Sequence, residues 1–523
     1  MFHAVVQRAA VLSLHTSPLA QPGSGDSGGM NVYVRELVSA LSQAGVECTT
    51  FTRRTSAAQP EVVLVEPGHR VVHVTAGPLD LAKEQLPSVL TEFGDRVIDH
   101  LKNESPADVV HANYFLSGLV AHRIKHELDI PFISTFHTLA KVKAEGGDLE
   151  PEWRHRAEQE IIACADAICV SCTEEESQFR RLYGNPKGRI EIVAPGVEHA
   201  FFAPGERSGA RRALDLPMNA PVLLFVGRIQ PLKAPDIAVR ALAQLRRPDA
   251  LLLVVGGASG DAGDSEVASL HALIDELGVR DQVRFVPPQP HHILSTYYRA
   301  ADVMVVPSRS ESFGLVALEA SACGIPVVAA GVGGLLTLVD HGETGYLVPD
   351  RDPTLFAHYV REIVDHPAHA AALGQRGAER AKRYTWGFAA ARLRRLYTDL
   401  CARELVACVR HEPLGAALHA LALSLHRAHP DHDYLTFATV KLHRVCWRYA
   451  DAIAIARAAL ARGPRPMTAI ALAGALREDG DLDGAIAAFE LALRDQPDNA
   501  GILLDLGDLH LQQGRLAGAL AAS

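Results

Sequence analysis

No stretch of this chain approaches the roughly 18 to 20 consecutive apolar residues of a membrane-crossing helix, so no membrane span is expected. Cysteine is scarce, and eight in 523 residues are too few for a disulfide scaffold. Cys164, Cys169 and Cys172 have the C-x4-C-x2-C spacing of some iron–sulfur ligand sets. No fourth cysteine follows nearby, however, and DAICVSC reads as a buried strand with cysteine as a small apolar residue. Positive charge is not in excess either. Lys plus Arg is 51 against 61 Asp plus Glu, a formal charge of −10, which excludes a general nucleic-acid binder and requires local cations wherever a phosphate is to be held. Nor is a signal peptide expected. MFHAVVQRAAVLSLHTSPL has one arginine before a short apolar run that passes straight into His15 and a glycine-rich loop, the pattern of a first β-strand. The expected compartment is the cytoplasm.

What is present is a long alternation. At this length the chain exceeds one hydrophobic core, and about three domains are expected. VVQRAAVLSL, VECTTFT, DVVHA, FISTFH, AICVSC and IEIVAPG read as strands, and NVYVRELVSALSQAG places apolar residues at helical spacing. The pattern restarts after Pro221, where PVLLFVG, ALLLVVGG, VRFVPP, DVMVVP and IPVVAAG alternate with helices such as PDIAVRALAQL. This predicts an α/β protein with two doubly wound Rossmann-like domains, each binding ligand where loops leave the carboxyl ends of its strands. The expected divisions are 1–205, rejoined by a crossover helix from 384–405, then 206–383, with an all-α extension over 410–523. In that extension Gly480, Gly484 and Ala485 recur as Gly514, Gly518 and Ala519, a period of 34, and Leu472 recurs as Leu506. A weaker copy lies around 449–460. The period resembles tetratricopeptide repeats, whose open end a protein partner or a second subunit is expected to cover, although a purely stabilising helical extension fits the same pattern.

The chemistry is concentrated in a few loops. ESFGLVALE carries Glu311 in a strand-to-helix turn and Glu319 inside the helix. Eight residues at about 1.5 Å rise put the two backbones roughly 12 Å apart, beyond the about 5 to 9.5 Å that a glycosidase acid/base pair requires. Two separated carboxylates suit instead a ligand with hydroxyls at two places, as a nucleotide sugar has, each accepting charge-assisted hydrogen bonds. The loop GSGDSGGMN, from Gly23 to Asn31, opens a helix whose N-terminus favours an anion, and GVGG, from Gly331 to Gly334, is expected to face it as a second anion-friendly loop. GRIQPLKAPD supplies Arg228 and Lys233 after a strand, a pair able to neutralise a departing diphosphate. Pro235 is expected to start the next helix and to fix where Lys233 points.

HTSPLAQPGSGDSGGMNVYVREL, STFHTLAKVK, VAPGV, FVGRIQPLKAPDI and ESFGLVALEASACGIPVVA together closely resemble the retaining GT-B glycosyltransferases of family 4, in the mycothiol-pathway branch that glycosylates inositol phosphate. The resemblance covers roughly residues 9 to 400 and does not extend to the repeats. It implies transfer of N-acetylglucosamine from UDP-GlcNAc to 1D-myo-inositol 3-phosphate. It also implies donor contacts at Gln21, Pro22, Gly29, Arg228, Lys233, Gln289, Glu311 and Glu319, with Arg228, Lys233, His137 and Glu311 in the catalytic set. Glu319 would hold the ribose hydroxyls. The implied acceptor contacts are His15, Asp26, Ser27, Gly28, Gly29, Met30, Asn31, Lys83, Tyr114, Thr138 and Arg154, with the last four gripping a phosphate.

Two departures from the family pattern stand out. Gln289 in VPPQP takes a position where arginine is expected beside the base, and KVKAEGGDLEPE, from Lys141 to Glu152, looks shortened. No cofactor beyond the nucleotide-sugar donor is needed for the chemical step, because two cations and the glycine loops supply the positive field. A structural Mg2+ held by carbonyls near Tyr298 to Ala301 is not readable from sequence. The alternatives are a family 4 transferase with another acceptor, a sugar phosphate or a natural-product aglycone, and a non-catalytic repeat-based interaction protein. The intact Arg228, Lys233, Glu311 and Glu319 argue against the second.

Overall fold

The computed structural model describes residues 6–23, 25, 27–148, 150–258, 263–411, 413–445, 448–512 and 518. The chain divides into two compact units, Met1–Leu400 and Cys401–Ser523.

The first unit contains two sheets. In the first, strands β1 (Arg8–Leu12), β2 (Glu47–Arg53), β3 (Val62–Glu66), β4 (His69–Val74), β5 (Val109–Asn113), β6 (Phe132–Thr135), β7 (Ala167–Val170) and β8 (Arg189–Ile192) lie in the order β3-β4-β2-β1-β5-β6-β7-β8. All neighbours are parallel except β3, which pairs antiparallel with β4 at the edge. In the second, β9 (Val222–Val226), β10 (Leu251–Val255), β11 (Val283–Val286), β12 (Val303–Val306), β13 (Val327–Ala330) and β14 (Gly345–Val348) run in the order β11-β10-β9-β12-β13-β14, parallel throughout. Continuous apolar strands such as β12, buried along its whole length, are what a sheet covered on both faces requires. Helix Gly29–Gln43 covers the first sheet with Val34, Leu37, Val38 and Leu41, spaced to share one face and all buried.

Strand order reverses at β1, which lies between β2 and β5, and at β9, between β10 and β12. In open α/β sheets the crevice for a ligand opens at such points, beyond the carboxyl ends of the strands. The loops bearing His15 and Arg228 leave the sheets at these two strands. After the second sheet the chain returns to the first. Helix Trp386–His411 buries Leu393, Leu396 and Tyr397, hydrogen-bonds the Tyr397 hydroxyl to His111 Nδ1 at 2.7 Å and pairs Arg392 with Glu191 of β8 at 2.8 Å.

The second unit is helical throughout its described residues: Pro413–Ala428, Asp433–Val445, Tyr449–Leu460, Pro466–Asp479, Leu482–Leu493 and Ala500–Gln512. Its core is built from small residues, Ala452, Ala456, Ala469, Ala485 and Ala492, with Leu472 and Leu506 both buried one period apart. Of the other repeat positions, Gly514 and Ala519 lie outside the described residues. Asp433, at the start of one helix, accepts hydrogen bonds from the backbone N–H groups of Met467 and Thr468 at 3.1 and 3.0 Å. One helix pair is thereby tied to the start of the next, as in stacked repeats.

Candidate active site

Between the carboxyl ends of the two sheets lies a cavity of ≈ 760 Å³, in the range of a ligand site. His15, Pro22, Gly28, Gly29, Met30, Lys83, Tyr114, His137 and Thr138 reach it from the first sheet, and Arg228, Lys233, Gln289, Glu311 and Glu319 from the second. Gln21, Ser27, Asn31 and Arg154 do not line it, and Asp26 lies outside the described residues.

On the donor wall, Lys233 Nζ donates to Glu311 Oε2 at 2.5 Å, and Ser308 Oγ donates to the same oxygen at 3.3 Å. Lys233 ends the short turn Pro231–Lys233, and Pro235 opens the following helix. Gly28 lies close enough to Arg228 that a Cβ there would meet its Nε at 3.4 Å, so the guanidinium sits against the opposing glycine loop. Glu319 is buried, and its carboxylate is held from both sides, by His291 Nε2 and by the Tyr298 hydroxyl, each at 2.7 Å. Burial alone would depress His291, but the Glu319 carboxylate and its hydrogen bond outweigh it and raise its pKa above 6.5. An ionised carboxylate offers about four acceptor positions, so the two internal bonds orient Glu319 and leave capacity for a ligand hydroxyl.

The expectation for GVGG is overturned. It does not line the cavity; it buttresses the Glu311 turn, with Gly334 N–H donating to Glu311 O at 2.9 Å. A Cβ on Gly333 would stand 1.9 Å from that carbonyl, so glycine is required here for backbone contact and not for an anion. In the stretch Tyr298 to Ala301, considered above for a structural Mg2+, one carbonyl is already engaged by a side chain. Ala300 O accepts from Arg211 Nε at 3.0 Å, and the same guanidinium bonds Met218 O and Asp302 at 2.7 Å each.

On the acceptor wall, Lys83 Nζ and the Arg154 guanidinium lie 5.3 and 5.2 Å from the centre of the Tyr114 ring, and the His15 ring packs against it, tilted by 41° with centres 4.4 Å apart. His15 Nδ1 is buried with no hydrogen-bond partner among the described residues. Burial first, then Lys83, hold its pKa well below 6.5, so it presents a neutral imidazole. His137 is neutral too, lowered to about 3 by burial, and its Nε2 bonds Asn113 Oδ1 at 2.8 Å. Tyr114 and His137 have φ of +74° and +60°, conformations that a non-glycine residue holds only where its surroundings enforce them, and which cluster at functional sites.

Arg154 is buried behind this wall, at 2% exposure. Its Nε donates to Glu158 at 2.9 Å, and its terminal nitrogens reach Glu150 at 2.7 Å and Thr138 Oγ1 at 3.2 Å. Asn31 turns inward, accepting from Gly28 N–H at 2.8 Å and donating to Thr16 Oγ1 and Ser17 O. It shapes the glycine loop. Gln21 spans the cleft to Pro288 O at 2.9 Å. The three spaced cysteines do not converge on one point: Cys169 lies inside β7, and Cys172 Sγ caps helix Thr173–Tyr183. Asn113, Ser308, His291, Tyr298 and Ser312 were missed by sequence reasoning. Ser312 Oγ donates to the carbonyl of His137 across the cleft.

Two facing Rossmann-like domains, with a lysine–carboxylate pair on one wall and clustered cations, a phenol and neutral imidazoles on the other, define a GT-B glycosyltransferase. Residues 206–380 match the family "Glycosyl transferases group 1" and residues 28–196 the "Glycosyl transferase 4-like domain". Two tetratricopeptide-repeat models match 447–495 and 476–522. The D-inositol 3-phosphate glycosyltransferase 2 of Catenulispora acidiphila is 46% identical over 405 residues, 75% of this chain and 95% of that protein. The D-inositol 3-phosphate glycosyltransferase of Mycolicibacterium smegmatis is 46% identical over 387 residues, 73% of this chain and 88% of that protein. Among solved structures, sucrose-phosphate synthase from Thermosynechococcus elongatus superposes with a TM-score of 0.72 at 35% identity, covering 76% of this chain and 99% of that one. Anabaena HepE in complex with UDP and glucose shares the fold at TM-score 0.62 and 20% identity, over 75% of this chain and 99% of that one. The chain belongs to the group 1 glycosyltransferase family, with a tetratricopeptide-repeat region added. No helix among the described residues is long and apolar enough to cross a membrane.

Proposed function

We propose that this chain is a D-inositol 3-phosphate glycosyltransferase, moving N-acetylglucosamine from UDP-GlcNAc to 1D-myo-inositol 3-phosphate with retention of configuration. The observation that carries the reading is the similarity, near 46% identity, to relatives of that name over 95% of one of them. The cavity supports it. Arg228 and Lys233 are positioned to stabilise the diphosphate as the bond from C1 of the sugar to the phosphate oxygen breaks. The acceptor hydroxyl then bonds to C1 on the same face, and its proton passes to the departing diphosphate oxygen. Glu319, oriented by His291 and Tyr298, takes the ribose hydroxyls, and Glu311 addresses the sugar while holding Lys233. The partnerless Nδ1 of His15 is a buried polar atom suited to an inositol hydroxyl, which can donate to it or accept from it, and Lys83, Tyr114, Thr138 and Arg154 suit its phosphate. The repeats are assigned to contact with a protein partner or a second copy of the chain.

One observation favours a different acceptor. Glu150 is salt-bridged to Arg154 and to Lys143, so a carboxylate already engages a cation expected to hold phosphate. The decisive assay supplies UDP-GlcNAc with inositol 3-phosphate or with unphosphorylated inositol, reading products by mass and anomeric configuration by NMR. Turnover of the phosphorylated acceptor alone supports the proposal; turnover of the unphosphorylated acceptor alone overturns it.

A further inference from the structure

On the outer face of the first sheet, away from the cleft, helices Phe115–Leu128 and Glu152–Cys164 run side by side. Each follows a strand and returns to the next, β5 to β6 and β6 to β7, so the two are parallel and their residues pair in register. Gly118 makes the approach close: a Cβ there would fall 2.7 Å from Ile161 Cδ1. One turn further on, His122 faces Glu160, with Nδ1 to Oε1 at 3.0 Å, and His126 faces Cys164, with Nε2 to Sγ at 3.3 Å. His122 and His126 are four residues apart on one helix face, as Glu160 and Cys164 are on the other. One ligand atom from each of His122, His126 and Cys164 lies within 4.8 Å of the other two.

We propose that these three residues bind one soft divalent cation of the zinc(II) class, with Glu160 orienting His122. Imidazole and thiolate donors are the set that zinc prefers, with bonds of about 2.0 to 2.3 Å. A tetrahedral arrangement of such bonds sets the donor atoms about 3.3 to 3.8 Å apart. The His126–Cys164 separation already has that value, and small side-chain rotations bring in His122. Glu160 bonds Nδ1 of His122, which turns Nε2 toward the cation, the carboxylate–histidine–metal arrangement that fixes a ligand's tautomer. The nearest cation is already paired. Lys125 Nζ, beside Cys164, is engaged by Cys164 O at 2.9 Å and paired with the Asp166 carboxylate at 2.7 Å. His126 is exposed and Cys164 half-buried, so the cation enters from solvent, displaces the thiol proton and keeps a fourth position for water.

Cys164 stands ten residues after Arg154, roughly 15 Å along the helix, and the site is separate from the transfer chemistry. It clips together the two helices whose leading ends bear Tyr114 and Arg154. The test uses the tag-free full chain, stripped with chelator and titrated with cobalt(II). One equivalent should give a thiolate-to-cobalt charge-transfer band that zinc abolishes, and zinc should raise the melting temperature. Cys164→Ser should lose the band and the thermal shift, His126→Gln should lose tight binding, and Glu160→Gln should weaken affinity about 10- to 100-fold. Far-UV circular dichroism checks that each variant folds. A band of equal strength in Cys164→Ser, or no band in the unmodified chain, would overturn the proposal. Transfer activity should survive chelation, and its loss would place the cation in the catalytic unit instead.

Discussion

Glu150 and Arg154 set the most direct question about how this site works. The guanidinium that the acceptor phosphate requires is bound to Glu158, four residues after it, and to Glu150, four residues before it. Glu158, fully buried, is bound besides by the Ala140 N–H and is part of the wall; Glu150 belongs to the segment Lys141 to Glu152 that departs from the family pattern. Removing that carboxylate frees donors for phosphate, so Glu150→Gln should lower the KM for inositol 3-phosphate several-fold at unchanged donor KM, and a rise in acceptor KM would refute the competition. Lys233→Ala removes a preorganised donor from the leaving group and should cost about 10²- to 10³-fold in kcat, with a loss confined to KM counting against a role in the transition state. The i±4 spacing of Glu150, Arg154 and Glu158 is visible in the sequence as a helical ion-pair pattern. The grip of His291 and Tyr298 on Glu319 was not legible, because nothing local links residues 21 to 28 positions apart. Protonation follows the same geometry. His111, lowered to about 4, and His137, to about 3, are buried neutral, burial being the main cause, while the unfolded chain protonates them near 6.5. Their contribution to stability is present above about pH 6.5 and lost as pH falls toward the folded values. His291 has the opposite sign: its pKa is raised, so its contribution is full below about 6.5 and lost as pH rises through the folded value. The melting temperature should therefore fall between about pH 6.5 and pH 4, less steeply in His111→Asn, and a flat calorimetric profile there would contradict the assignment.

At the scale of elements, the alternation of strand and helix was legible because parallel strands buried on both faces are continuous apolar runs. The strands missed were those for which this does not hold. β3 is an edge strand with Leu64 72% exposed and Val62 50% exposed, and β4 joins it through a turn at Pro67 and Gly68. β14 is only four residues long and opens on a glycine. GVGG shows a further limit: a glycine cluster looks the same in sequence whether it admits a phosphate or another stretch of backbone. Here it admits Glu311 O, and Gly333 also has φ +49°. Gly333→Ala should thus destabilise the fold by about 1 to 3 kcal/mol in urea unfolding and raise the donor KM by shifting Glu311. Wild-type values for both would show that the turn yields without cost.

For the molecule as a whole, the repeat period is legible because Leu472, Leu506 and the glycines recur at fixed distance, and the return of the chain to its first sheet, expected as a crossover helix from 384–405, is held by contacts that sequence does not show, such as His111 with Tyr397, 286 residues apart. A chain ending at residue 411 should keep the transfer rate of the full chain, and one ending at 383 should not fold, because Leu393, Leu396 and Tyr397 complete the first domain's core. A truncated but inactive chain ending at 411, folded by circular dichroism, would make the repeats part of the catalyst. The same returning helix governs how the protein is born. Its first domain has all eight strands once about 193 residues have left the ribosome, yet the surface around His111 and Glu191 stays uncovered until residue 400 follows. At about 5 to 20 residues per second that interval lasts about 10 to 40 s. During synthesis the first sheet thus waits for one of its covering helices, and its core is completed only after the second domain has been made.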